Sequence, residues 1–88
     1  LSLKYLELKD GFEPKTNRYT FVVSAKVSKL AVTRNLLKRR GRYIIRKIAK
    51  RIRTPFAYAF FFKPGSANLD FVGLEKEFLA LLSRARSI

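Results

Sequence analysis

The sequence predicts a small α+β domain in which two helices pack on a narrow sheet, in the order strand, strand, long helix, strand, helix. Three observations predict it. Three short runs read as strands: residues 1–8 by apolar–polar alternation, residues 19–25 by β-branched and aromatic side chains, and residues 56–63 by aromatic rings at every second position. A long segment ending near Arg53 spaces its apolar residues as a helix does, and a second such segment follows Asp70. Finally, 88 residues with 48% hydrophobic and 14% aromatic side chains allow one domain with a modest core, residues 1–88.

Residues 1–8 (LSLKYLEL) alternate apolar and polar, then slip at Tyr5-Leu6, which reads as a strand with a bulge. Residues 9–18 (KDGFEPKTNR) collect Asp10-Gly11, Pro14 and Asn17, the chemistry of a hairpin loop. The strand at residues 19–25 (YTFVVSA) is therefore expected to pair antiparallel with the first. The long helix begins between Ser28 and Thr33 and reaches about Arg53, where Thr54-Pro55 stops it.

On the helical wheel, Leu30, Leu37, Ile44, Ile48 and Ile52 fall within an arc of ~80°, with Ile45 beside them. Opposite lie Asn35, Lys38, Arg39, Arg42, Arg46, Lys50 and Arg53, flanked by Arg40, Lys47 and Arg51. Gly41 sits on the apolar stripe, implying close approach to the sheet at a helix-propensity cost of ~1 kcal/mol.

In residues 56–63 (FAYAFFFK), Phe56, Tyr58, Phe60 and Phe62 share one face. Helices must cover one side of the sheet, so these rings read as core, with Tyr58 the best candidate for exposure. Residues 65–69 form a turn, and Asp70 is a good N-cap for the last helix. Phe71, Leu74, Phe78, Leu81 and Ala85 make that helix's apolar stripe, and Arg84 and Arg86 lie at its end.

Charge narrows the function. The formal net charge is +14. No carboxylate occurs between Pro14 and Leu69, a stretch carrying fifteen cations, eleven of them within residues 29–53. Such a block repels itself unless a polyanion neutralises it, so nucleic acid or an anionic surface is the expected partner. Cys and His are both absent, which excludes zinc fingers and imidazole-dependent triads. Glu75 and Glu77 point in different directions from a helix and make a poor acid–base pair. No glycine-rich phosphate cradle and no 18-residue apolar run is present. The composition thus points to a cytoplasmic binding protein with no catalytic or metal-ligating residues of its own.

Residues 21–42 read FVVSAKVSKLAVTRNLLKRRGR. This resembles the signature of the bacterial ribonuclease P protein component, through Ser24, Lys26, Val27, Ala31, Val32, Arg34, Asn35, Leu37, Lys38, Arg39 and Arg42. The segment FFFKPGSANLDFVGLEKEFLALLSRA is similar to that family's last strand, turn and final helix. Three departures stand out: Leu36 replaces the third residue of an Arg-Asn-Arg triplet, Ala25 replaces a lysine, and Gly41 replaces an aliphatic packing residue. The family's short helix before the first strand is absent from this sequence or lies upstream of it.

The resemblance implies a two-layer sandwich like domain 2 of ribosomal protein S5, with a left-handed crossover through the long basic helix. It implies a subunit of ribonuclease P, an endoribonuclease acting in tRNA 5′ maturation, whose hydrolysis is carried by an RNA subunit with Mg²⁺ bound mainly to that RNA. The implied partners are that catalytic RNA and the 5′ leader of precursor tRNA, with no membrane and no protein partner required. By matched position the RNA contacts are Lys26, Arg34, Asn35, Lys38, Arg39 and Arg42, which the wheel extends to Arg46 and Lys50. Tyr5 and Ser24 are candidate leader contacts. The competing expectation is a non-catalytic RNA chaperone or ribosomal-type protein using the same basic face.

Overall fold

The computed structural model describes residues 1–8, 17–54 and 56–88. Of the loop read at residues 9–18, residues 9–16 lie outside the described residues, as does the helix stop at Pro55, and Arg18 belongs to a strand rather than to the loop. Three strands, β1 (Ser2–Glu7), β2 (Arg18–Val22) and β3 (Phe56–Phe61), combine with two helices, α1 (Ala31–Ile48) and α2 (Phe71–Arg84). Single 3₁₀ turns follow α1 at Ala49–Arg51 and precede α2 at Ser66–Asn68.

The sheet order is β1-β3-β2, which corrects the expected β1–β2 hairpin. β3 carries buried rings at every second position, and the central place gives that strand partners on both sides. β1 pairs with it antiparallel without a skip from Ser2↔Phe61 to Glu7↔Phe56, so the expected bulge is absent. β2 pairs with it in parallel, from Arg18↔Ala57 to Val22↔Phe61. A parallel pair cannot be joined by a tight turn, and α1 supplies the crossover.

Opposed residues share a face, so the register sorts the sheet into two surfaces. Leu3, Tyr5, Tyr19, Phe21, Phe56, Tyr58 and Phe60 line the helix-facing side. Lys4, Leu6, Arg18, Thr20, Ala57, Ala59 and Phe61 line the other. Both helices press on the first surface. Phe60 and Phe78 have no exposed surface, with ring centroids 4.7 Å apart, and Phe62 meets Phe78 edge-on at 6.0 Å. Buried rings of this kind each contribute several kcal/mol, on the order of the 3–5 lost when one is cut to alanine. Tyr58 is 1% exposed and its hydroxyl donates to the Arg53 carbonyl at 2.9 Å, so it is core rather than a surface exception.

The apolar stripe of α1 is Leu37, Gly41, Ile44, Ile45 and Ile48. A Cβ built on Gly41 would lie 2.8 Å from Phe21 Cδ1 and 3.3 Å from Phe78 Cζ, so the close approach expected from sequence is real. Two wheel expectations fail. Leu30 is 67% exposed because it is the N-cap residue, with extended backbone, and the helical period does not reach it. The α-helix ends at Ile48 rather than near Arg53, and the 3₁₀ turn still delivers Ile52 to the core.

In α2 the buried stripe is Leu74, Phe78 and Leu82 at i+4 spacing; Leu81 and Ala85 are only partly buried. Asp70 caps α2, its carboxylate accepting from the Gly73 amide at 2.7 Å. The preceding turn places Gly65 at φ 98°, a backbone region that favours glycine.

Candidate nucleic-acid interface

Packing decides which side of α1 meets solvent. With Leu37, Ile44, Ile45 and Ile48 held on the core, Asn35, Arg39, Arg42, Arg46 and Lys47 are exposed, and the 3₁₀ turn continues the row with Lys50 and Arg51. Lys38 and Arg40 are half-buried along its flanks. From Arg39 to Arg46 the row runs about 10 Å, two helical turns, on one side of the molecule.

Among the described residues, little neutralises it. Among the described residues, Lys47 is the one cation of α1 with a carboxylate partner, Glu75 at 3.1 Å on α2. Asp70 is used as a cap on α2. Such exposed pairs are worth at most ~1 kcal/mol, so the guanidinium groups remain available for phosphate oxygens, to which arginine offers a bidentate fork.

The start of α1 is electrostatically unusual. It has no side-chain cap hydrogen bond and no acidic residue in its first turn. Ser28 holds the approach instead: its hydroxyl accepts from the Leu30 amide at 3.2 Å and its carbonyl accepts from Arg34 Nη1 at 2.9 Å. Arg34 is thus partly committed to positioning the loop that carries Lys26, which is exposed one residue before Val27 closes a turn onto the Ser24 carbonyl. The cations sit at the positive end of the helix dipole, an arrangement that costs a few tenths to ~1 kcal/mol and that a bound anion reverses.

The structure therefore brings Asn35, Lys38, Arg39, Arg42 and Arg46 together along α1, with Lys50 on the 3₁₀ turn that follows it and Lys26 and Arg34 at its start. It does not bring Tyr5 and Ser24 together. Tyr5 is level with Tyr58 on β1, half exposed, its ring 6.2 Å from Phe56 and 6.3 Å from Tyr58. Ser24 lies beyond the far end of β2, at the opposite edge and opposite end of the sheet, which separates them by about 15–20 Å at ordinary strand geometry.

Two features escaped the sequence reading. One is a shallow depression of about 320 Å³ on the helix-free face, lined by Lys4, Leu6, Arg18, Thr20, Ala57 and Ala59. Its signal was the alanine between successive rings of β3, which leaves that face low. The Lys4 ammonium sits 5.5 Å from the Phe61 ring centre at its margin. The other is a groove of about 380 Å³ between the β2 edge and α1, lined by Tyr19, Phe21, Arg42, Ile45, Arg46 and Ala49. Burial raises the pKa of the Tyr19 hydroxyl, against the lowering effect of its hydrogen bond to Asn17, so the group is neutral at physiological pH. No three His, Cys, Asp or Glu side chains gather among the described residues, so these offer no cage for a divalent ion. No helix among them is long and apolar enough to cross a membrane.

Comparison with known proteins converges on one family. The family model described as Ribonuclease P matches residues 2–86. A ribonuclease P protein component from Microcystis aeruginosa is 33% identical over 75 residues, covering 85% of this chain and 62% of the relative. One from Syntrophomonas wolfei is 29% identical over 69 residues, covering 78% and 57%. The chain thus spans roughly three-fifths of the length of these curated relatives. Among solved structures, the RNase P protein from Thermotoga maritima in complex with 1-(4-fluorophenyl)-2-thiourea superposes with a TM-score of 0.79 at 26% identity, covering 93% of this chain and 76% of that one.

Proposed function

Because the chain belongs to the ribonuclease P protein family, we propose that it is the protein subunit of ribonuclease P. It docks on the catalytic RNA through α1, contacts the 5′ leader of precursor tRNA, and so assists endonucleolytic removal of that leader. The observation that carries this reading is the row of cations on α1, of which Lys47 alone has a carboxylate partner among the described residues.

Each residue has a physical part in this reading. Arg39, Arg42, Arg46 and Lys50 lie along one exposed side and neutralise successive phosphates. Asn35 and Lys38 extend the contact toward the start of α1, where Lys26 and Arg34 meet a further phosphate at the positive end of the helix. Tyr5, half exposed at one sheet edge, stacks on a leader base, and Ser24 at the other end donates a hydroxyl. Their separation makes them two contacts along an extended strand rather than one pocket. The β2–α1–β3 crossover is read as left-handed, in keeping with the family's fold.

Hydrolysis belongs to the RNA partner in this reading. In that division of labour the chain supplies charge and position, and the RNA supplies the proton-transfer chemistry. Mg²⁺ sits on the RNA, and the protein's contribution is to offset phosphate repulsion that Mg²⁺ would otherwise have to screen. The reading places the complex in the cytoplasm.

Reconstitution with a catalytic ribonuclease P RNA tests this directly. Cleavage of precursor tRNA should proceed at a Mg²⁺ concentration too low for the RNA alone. Binding of that RNA without any gain in cleavage would instead identify a general RNA-binding or chaperone protein on the same scaffold.

A further inference from the structure

The groove between the edge of the sheet and α1 combines three kinds of surface that rarely meet by accident. Its wall is aromatic. β2 is an edge strand, and Tyr19 and Phe21 are stacked inward on Tyr58 and Phe60, at centroid distances of 5.8 and 5.7 Å and interplanar angles of 12° and 13°. Each ring is thus held by a buried neighbour on one side, and both border the groove. Asn17 steadies Tyr19 by donating to its hydroxyl at 2.9 Å, while its own side-chain oxygen accepts from the Phe56 amide at 2.8 Å. The floor is apolar, formed by Ile45 and Ala49, and Arg42 and Arg46, one helical turn apart, complete the lining with two guanidinium groups. The space of about 380 Å³ is within the range of small-ligand sites.

A flat ring system fits an aromatic wall, and an attached anion fits two neighbouring arginines. We propose that this groove is a subsite for a single unpaired ribonucleotide, its base against Tyr19 and Phe21 and its phosphate on Arg42 and Arg46. The inference rests on the RNA-binding reading above and deepens it: the RNA face of α1 takes an extruded base as well as phosphates. A row of cations alone attaches to any backbone, whereas a base-sized slot at one point along it fixes where on a folded RNA the helix can settle.

Adenosine monophosphate, adenosine and inorganic phosphate, each titrated into the ¹⁵N-labelled protein, provide the test. AMP should shift the amides of Tyr19, Phe21, Ile45, Arg46 and Ala49, and its base protons should move upfield from the ring currents. Adenosine and phosphate should each bind at least about fivefold more weakly than AMP, the lower limit of what one stacked base or one charge-assisted contact contributes. Ala49→Leu fills the groove while retaining every cation. It should weaken AMP binding by at least about fivefold and leave affinity for a fully paired RNA duplex unaltered. Arg42→Gln with Arg46→Gln, on the solvent side of a helix and safe for folding, should weaken both.

Equal binding of AMP and phosphate overturns the proposal, as does an Ala49→Leu protein that folds and still takes AMP. Failure of reconstituted cleavage alongside a specific AMP response would remove the ribonuclease reading and keep the subsite; the converse would do the opposite.

Discussion

Gly41 shows how one side chain, or its lack, sets the spacing of two layers. Alanine there would gain ~1 kcal/mol of helix propensity. Its Cβ, however, would stand 2.8 Å from the Phe21 ring, which cannot swing aside because it is stacked on Phe60 and tilted against Phe78 at 6.2 Å. Overpacking of a tight core costs about 1–3 kcal/mol, so the strain wins. Gly41→Ala should therefore lower stability by about 1 kcal/mol, measured by urea unfolding. The same substitution in a Phe21→Leu background should be neutral or stabilising, because the flexible branched chain yields where the ring does not. An additive double-mutant cycle would show that the ring is not what forbids a Cβ at this position. That position 41 answers to position 21 is visible only once β2 and α1 are seen in contact.

At the scale of elements, what was legible in the sequence is what repeats within an element. The 3.6-residue period of α1 placed Leu37, Ile44 and Ile48 in the core and the arginines outside, and the two-residue period of β3 placed its rings. Periodicity says nothing about which strand lies beside which, and the turn residues between β1 and β2 suggested a hairpin. The rings of β3, which need partners on both sides, overrode that local signal. The basic face was legible because its charges are contiguous along one helix. The aromatic groove was not, since its wall and its cations lie more than twenty positions apart in the chain. A prediction belongs to α1 as a unit: Arg39→Ala with Arg42→Ala should weaken binding of the catalytic RNA by roughly 1–3 kcal/mol through lost charge-assisted contacts. The slope of log affinity against log salt should become shallower by about one to two units, one per phosphate released. Filter binding across a salt series measures both quantities, and an unaltered slope would exclude this side of α1 as the docking surface.

The whole molecule carries a formal charge of +14 on 88 residues, with one side-chain ion pair among the described residues, Lys47–Glu75, to offset it. Folding compacts that charge into a body with a Cα radius of gyration of 13.2 Å, so repulsion is greater in the folded state than in the expanded chain. At 0.01 M ionic strength the screening length is about 30 Å, longer than the molecule's radius, and at 1 M it is about 3 Å, shorter than the spacing of neighbouring guanidinium groups. Added salt should therefore stabilise the isolated protein, opposite to the usual effect on a fold held by surface ion pairs. A gain of ~1 kcal/mol would raise the melting temperature by roughly 4–8 °C for a domain of this size. The same salt should weaken the counterion-driven RNA binding proposed above, so stability and affinity should move in opposite directions across one titration. Saturating RNA at low salt should raise the melting temperature as well, because a ligand that binds only the folded state stabilises it by mass action. Calorimetry of the free protein in sodium chloride, run beside RNA binding in the same buffers, checks both halves. A melting temperature that falls with salt would mean that Lys47–Glu75 and its like outweigh the repulsion, and that the cationic face is tolerated without any need for a polyanion.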